Sequence, residues 1–360
     1  MFDKLKPLLE KAGVIAGERD PDRLIPILAE LAKTILEVDR CSLFLFDKER
    51  NNLYTFVAHG GVRIEVSPDR GIVGAAFRNR EPLLINDAYS DPRFNPEVDK
   101  KTGYKTKNIL ALPLIDSREN AIGVFQAINK LEGDFKDEDL QILQLISVYA
   151  SNSLESSMLY AKLKSAYRET VLRLSHASEY KDQDTYNHIV RIGLMAGLIA
   201  RKLGFDQEFC ENIQMAAPMH DIGKIGIPDA ILLKKGKLDP EEWEVMKTHT
   251  IVGYDILKDS ENELLQMAAK IALEHHERWD GTGYPYGKAG KDISIEARIT
   301  TISDVFDALT SKRPYKEPWP VSKAVEYMKD LSGKQFDPEV LEVFLNSLDE
   351  ILKIKEEYRD

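Results

Sequence analysis

The sequence predicts an α+β domain with an antiparallel sheet, then a long connecting helix, then an all-α bundle. Three observations predict this. Apolar, β-prone runs alternate with turn residues through the first third of the chain. No proline or glycine occurs from Lys136 to about Asp182. From about residue 165 onward, apolar residues recur at helical spacing between short loops, and no strand run stands out.

The bulk numbers bound the function. A length of 360 residues is enough for two domains, each with a sizeable core. A net charge of −11 argues against a nucleic-acid polymer or an anionic membrane as partner. Cys41 and Cys210 lie far apart and have no companion at metal-ligand spacing, which fits free thiols in a reducing compartment. No apolar run reaches the length of a membrane span, and Met1–Lys11 carries no secretory cleavage site. A cytoplasmic location is therefore expected.

In the first domain, expected over residues 1–155, Leu24, Ile25, Ile27, Leu28, Leu31, Ile35 and Leu36 mark an amphipathic helix. Cys41–Phe46 and Leu53–Ala58 read as strands joined by the polar Lys48–Asn52 turn. Gly71-Ile72-Val73-Gly74 precedes a short helix. Leu83–Asn86, Ile109–Asp116 and Ala121–Asn129 are further strands, the last in a central position. Asp87–Asn108 reads as a long loop with a short helix, of the kind that covers a ligand cavity.

The strand Cys41–Phe46, the Gly71–Gly74 turn, Leu112-Pro113-Leu114 and Asn129-Lys130 followed by Phe135 and Asp139 resemble a GAF domain. The last group is similar to the motif of cyclic-nucleotide-binding members. Read locally, Asn129 caps a strand end, Phe135 packs in the core and Asp139 favours the start of the next helix. The resemblance implies a sensor whose ligand is unknown.

The connector, expected over residues 137–182, has Leu140, Leu143, Ala150, Leu154, Met158, Leu163, Tyr167, Val171 and Leu174 at mostly three- and four-residue steps. One small domain cannot cover so long a stripe, so a parallel homodimer through this helix is expected.

In the second half, over 165–360, helices are expected at 186–203, 208–219, 240–258, 262–276, 295–310 and 320–330. Five of the chain's seven histidines fall here at intervals of 26 to 32 residues or side by side: His188, His220, His249, His275 and His276. Such intervals can bring imidazoles from successive bundle helices to one centre. Asp184, four residues before His188, shares its helical face. Asp221, beside His220, can face a second ion or bridge two. Asp304 is a poor residue to bury without a cation. These donors exceed the roughly four ligands of one zinc site, which argues for two or three ions. Nitrogen and oxygen donors without thiolate fit iron first, with manganese or nickel as alternatives.

His220-Asp221-Ile222-Gly223-Lys224, His275-His276-Glu277 with Asp280-Gly281-Thr282-Gly283-Tyr284-Pro285, and Asp304–Thr310 followed by Arg313-Pro314-Tyr315-Lys316 resemble the HD-GYP branch of the HD phosphohydrolases. That resemblance implies metal-dependent hydrolysis of cyclic di-GMP to pGpG and, in some members, GMP. It implies His188, His220, Asp221, His249, His275, His276 and Asp304 as metal ligands. Three-metal members carry Glu where this chain has Asp184, so either Asp184 reaches a third ion or the site is dinuclear. Catalysis would fall to Asp221 and Lys224. Lys224, Tyr284, Arg313 and Lys316 would contact substrate, with Lys224 offsetting charge on the phosphate. The alternative is a receptor that binds cyclic di-GMP with negligible turnover and signals to a protein partner.

Overall fold

The computed structural model describes residues 2–56, 63–179, 185–312 and 317–359. Asp184, Arg313 and Lys316 lie outside the described residues, as does the end of the second expected strand. The chain divides into two compact units, Met1–Ser165 and Ala166–Asp360.

The first unit opens with α1 (Phe2–Gly17) and α2 (Pro21–Leu36). Asp20 caps α2 by accepting from the Asp22 amide, and Pro21 takes the first turn, where its missing N–H costs nothing. Six strands follow: β1 (Val38–Asp47), β2 (Asn52–Phe56), β3 (Arg63–Val66), β4 (Leu83–Ile85), β5 (Ile109–Ile115) and β6 (Ala121–Lys130). They form one sheet in the order β3-β2-β1-β6-β5-β4, with every neighbouring pair antiparallel.

Successive side chains of a strand point to opposite faces, and the burial follows. Leu43 and Leu45 of β1 and Phe125 of β6 pack with Leu24, Leu28 and Ile35 of α2 and with Ile142 and Ile146 of α5 (Asp137–Glu179). Phe44 and Val124 pack on the other face with Ile72, Val73 and Ala76 of α3 (Gly71–Asn79). The loop between β4 and β5 carries α4 (Glu97–Thr102).

The Asn129–Asp139 segment has a structural role here. The Asn129 side chain accepts from the Lys107 amide (2.6 Å) and donates to the Lys105 carbonyl (2.8 Å), holding the loop before β5. Lys130 Nζ reaches the Asp139 carboxylate at 2.5 Å, both nearly buried, and Asp139 also accepts from the Lys136 amide. Phe135 is buried in the core.

α5 begins with Asp137, Glu138 and Asp139, acidic residues that favour a helix N-terminus. Its residues 159–170 are all exposed. The second unit continues with α6 (Tyr186–Lys202), α7 (Gln207–Ala216), α8 (Asp229–Leu232), α9 (Pro240–Lys247), α10 (His249–Leu257), α11 (Glu263–Glu274), α12 (Ile295–Thr310), α13 (Val321–Asp330), α14 (Pro338–Asn346) and α15 (Leu348–Glu357). Its core joins Ile192, Met195 and Ile199 of α6 with Ile213, Ile271, Ile302, Phe306 and Phe344. No helix among the described residues is long and apolar enough to cross a membrane.

Two helix boundaries differ from the expectation. Residues 240–258 are two helices, broken at Thr248. There Thr248 Oγ1, His249 Nδ1 and Thr250 Oγ1 donate in turn to the carbonyls of Val245, Met246 and Lys247. Local side-chain bonds of this kind compete with the helical ladder. α11 stops at Glu274, so His275 and His276 follow the helix rather than lie on it.

Candidate metal centre

Three of the five histidines are placed by the same local device. His220 Nδ1 donates to the Ala217 carbonyl (3.0 Å), His249 Nδ1 to Met246 (2.7 Å) and His275 Nδ1 to Ala272 (3.0 Å). Each contact runs three residues back, to a carbonyl at the end of a helical turn, where acceptors lack intrahelical partners. His188 is held differently: its Nδ1 meets the Asp307 carboxylate at 2.8 Å. With Nδ1 committed as a donor, all four rings turn Nε2 toward one centre.

The donor atoms fall into two groups. Asp221, His249, His275 and His276 each offer an atom within 4.8 Å of the others, and Glu179, His188 and His220 do the same. Asp221 stands between them. Its Oδ1 is 3.3 Å from His249 Nε2 and 3.4 Å from His275 Nε2, while its Oδ2 is 3.3 Å from His220 Nε2. Asp304 Oδ1 faces the second group, 3.8 Å from His188 Nε2 and 3.9 Å from His220 Nε2.

The electrostatics of the two groups differ. Burial, then the neighbouring His275 and His249 rings, pushes the His276 pKa well down. Burial also lowers that of His275, against Asp221. Both rings are neutral near pH 7, with lone pairs available. In the second group burial opposes charge on His220, but the carboxylates of Asp221, Asp304 and Glu179 outweigh it and push its pKa up to about 10. Burial works against the charge of Asp221, yet Lys224 and His220 hold its carboxyl well below the usual range.

The residues fit bound cations. His249 Nε2 and His275 Nε2 stand 3.5 Å apart, two lone pairs facing each other. His220 Nε2, Asp221 Oδ1 and both Glu179 oxygens are buried and find no hydrogen-bond partner among the described residues. Orphaned buried polar atoms are costly. An ion at metal–ligand distances of about 2.0–2.2 Å would satisfy them together.

Two glycines, the buried Gly223 and the half-buried Gly283, close the frame. A Cβ on Gly223 would lie 1.9 Å from the His249 carbonyl oxygen, so only glycine lets this turn seat α10. A Cβ on Gly283 would meet the Arg278 amide at 2.3 Å. Gly283 therefore serves close approach of the loop to its own backbone. Gly281, in the same loop, adopts a positive φ of +78°, which glycine takes without steric cost.

A cavity of about 440 Å³ opens onto His275, His276 and Asp304 and is lined across from them by Trp243, Lys247, Arg278 and Tyr284. The Tyr284 ring lies 4.8 Å from that of His276. Lys224 Nζ is engaged with Asp221 Oδ2 at 2.8 Å. The structure thus brings His188, His220, Asp221, His249, His275, His276 and Asp304 together, with Lys224 and Tyr284 beside them. It adds residues given no role from the sequence: Glu179, Asp307, Trp243 and Lys247. Asp307 had a signal, since it follows Asp304 by three residues on one helical face. Glu179 had none, because it does not stand at the three- or four-residue spacing from His188 that marks a shared helical face.

Comparison with known proteins bears on the two halves of the chain separately. Residues 20–154 match the GAF domain family and residues 167–340 the HD domain family. The chain is 49% identical over 187 residues to a cyclic di-GMP phosphodiesterase of Thermotoga maritima, covering 52% of this chain and 51% of that protein. It is 47% identical over 195 residues to the cyclic di-GMP phosphodiesterase response regulator RpfG of Xanthomonas campestris pv. campestris, covering 54% and 52%. It is 38% identical over 224 residues to a 3'3'-cGAMP-specific phosphodiesterase of Vibrio cholerae, covering 62% and 43%. The chain thus spans about half the length of the curated relatives it matches. The chain is a GAF domain followed by an HD domain.

Proposed function

We propose that this chain is a metal-dependent phosphodiesterase that hydrolyses cyclic di-GMP to pGpG under control of its GAF domain. The observation that carries this reading is the position of Asp221, one carboxylate shared by two donor groups, beside a cavity lined by His275, His276 and Asp304. His188, His220, Asp304 and Asp221 would hold one ion, and Asp221, His249, His275 and His276 another. Iron, manganese or nickel bound there would supply an activated water and offset charge on the phosphodiester. The donor set, imidazole and carboxylate without thiolate, supports a first-row metal.

The protein's own groups have separable parts. Lys224 holds Asp221 Oδ2, so the shared carboxylate stays ionised and oriented. Lys247 and Arg278 put positive charge on the cavity wall, where a dianionic dinucleotide needs it. Trp243 and Tyr284 present aromatic surface on which a guanine can stack. The GAF domain and α5 belong to a homodimeric sensor, its ligand still to be identified, working in the cytoplasm.

The test is a substrate panel on metal-loaded protein, with cyclic di-GMP and 3'3'-cGAMP followed by chromatography of the products. Formation of pGpG that disappears in Asp221→Ala supports the assignment. Binding of cyclic di-GMP without cleavage selects the receptor alternative, and preference for 3'3'-cGAMP revises the substrate.

A further inference from the structure

Glu179 is 1% exposed, and neither carboxylate oxygen has a hydrogen-bond partner among the described residues. A buried carboxylate left this way is among the costliest groups a fold can carry. Its neighbours explain the position. Oε2 is 3.9 Å from His188 Nε2, and Oε1 is 4.0 Å from His220 Nε2. These separations are too long for hydrogen bonds. They match two donors on opposite sides of one ion at about 2.0–2.2 Å from each.

We propose that Glu179 is a metal ligand of this chain, completing the pocket of His188, His220 and Asp304. The inference rests on the reading of this centre as metal-binding and adds a residue to it. Three features converge. The Nδ1 atoms of both histidines are committed elsewhere, to Asp307 and to the Ala217 carbonyl, so their Nε2 atoms face the carboxylate. The first group already has Asp221, His249, His275 and His276, four donors without Glu179. The second group without Glu179 would lean on His188, His220, Asp304 and the far oxygen of the shared Asp221.

The placement has a regulatory consequence. Glu179 lies in the last described turn of α5, which begins at Asp137 in the first unit. A shift or rotation of the end of that helix changes the ligand set of one ion and leaves the other's intact. The GAF domain would then act on metal occupancy rather than on the cavity.

The test compares the full chain with Glu179→Gln and Glu179→Ala. Each protein is loaded with Mn2+, its metal content is measured by elemental analysis, and the ions are withdrawn with a chelator. The wild type should hold two ions, coupled in the electron paramagnetic resonance spectrum. The variants should hold one isolated ion at wild-type affinity and the second at least about 100-fold more weakly, beyond the 10–100-fold typical of outer-sphere partners. Variants that keep two coupled ions with an unchanged chelator curve overturn the proposal, as does a wild type with fewer than two. Thermal melts of metal-free protein separate a structural role. Removing an orphaned charge should leave Glu179→Gln at least as stable as wild type, and a marked loss overturns the proposal. A wild type with two ions that leaves cyclic di-GMP intact defeats the proposed activity and leaves this inference standing.

Discussion

Asp307 Oδ2 lies 2.8 Å from His188 Nδ1, and the same carboxylate accepts from Arg191 Nε (2.7 Å) and Lys355 Nζ (2.7 Å). One fully buried acid thus aims a histidine at the centre and joins α6, α12 and α15. Burial opposes its charge, but the bonds from His188 and Arg191 hold its carboxyl far below the usual carboxylate range. A depressed carboxylate contributes stability that is complete above its unfolded pKa, about 3.9, and is lost progressively as pH falls from there through the folded value. Asp307→Asn leaves Arg191 and Lys355 without their buried counter-charge. It should cost about 3–5 kcal/mol in denaturant unfolding and weaken metal binding at His188 about 10–100-fold. Unchanged stability and affinity would show that Arg191 and Lys355 carry the anchor without it.

Gly223 fixes His249 by contact between backbones. The Cβ of an alanine would collide with the His249 carbonyl and with the Gly253 amide. These are rigid groups, so α10 must move, and a displacement of about 1 Å can cost about 100-fold in rate. Gly223→Ala should therefore lose at least that factor in hydrolysis and bind metal more weakly. Gly17→Ala, with open space around its Cβ, is the matching control and should behave as wild type. Equal activity of the two variants would sink the argument.

Metal uptake should release protons, because a raised histidine must lose its proton to become a ligand. In the metal-free protein His220 is raised to about 10 by the carboxylates around it, while His275 and His276 are lowered and already neutral. The sign follows: apparent affinity rises with pH up to about 10, and protons come from the second group rather than the first. Calorimetry near neutral pH in buffers of different ionisation enthalpy should report about one proton or more per chain. Heats independent of the buffer would contradict it.

Several elements were legible because their signals are local. Apolar, β-prone runs placed β1 and β6, and helical spacing placed α2 and α6. The break at Thr248 was not legible, since Thr248, His249 and Thr250 sit in a run that is apolar enough for one helix and break it through side-chain bonds. α14 has readable signals, an Asp337 cap and Pro338 in the first turn, yet its periodicity is short. At the centre, motif residues marked the histidines, but the carbonyls that aim them belong to backbone and leave no trace in residue type. Glu179 and Lys355 reach the centre from opposite ends of the second unit, and only tertiary packing brings them there.

The exposed part of α5 carries the last prediction. Tyr160, Leu163, Tyr167 and Leu174 are all exposed and follow three-, four- and seven-residue steps, the spacing of a coiled-coil seam. Thr170 fills the intermediate position, so the seam is continuous but not strongly apolar. A second copy in parallel would cover it. Burying one large side chain is worth about 1.5–3 kcal/mol, and an intertwined pair loses that twice for each position changed. Leu163→Glu with Tyr167→Glu should therefore raise the dimer dissociation constant by at least about 100-fold. Light scattering coupled to size exclusion reads this as a shift from twice the chain mass to the chain mass. Metal content should stay at the wild-type value, because none of the substituted residues belongs to the centre. A wild type that runs as a monomer, or a variant that stays dimeric, would mean that the seam is covered by something other than a second copy.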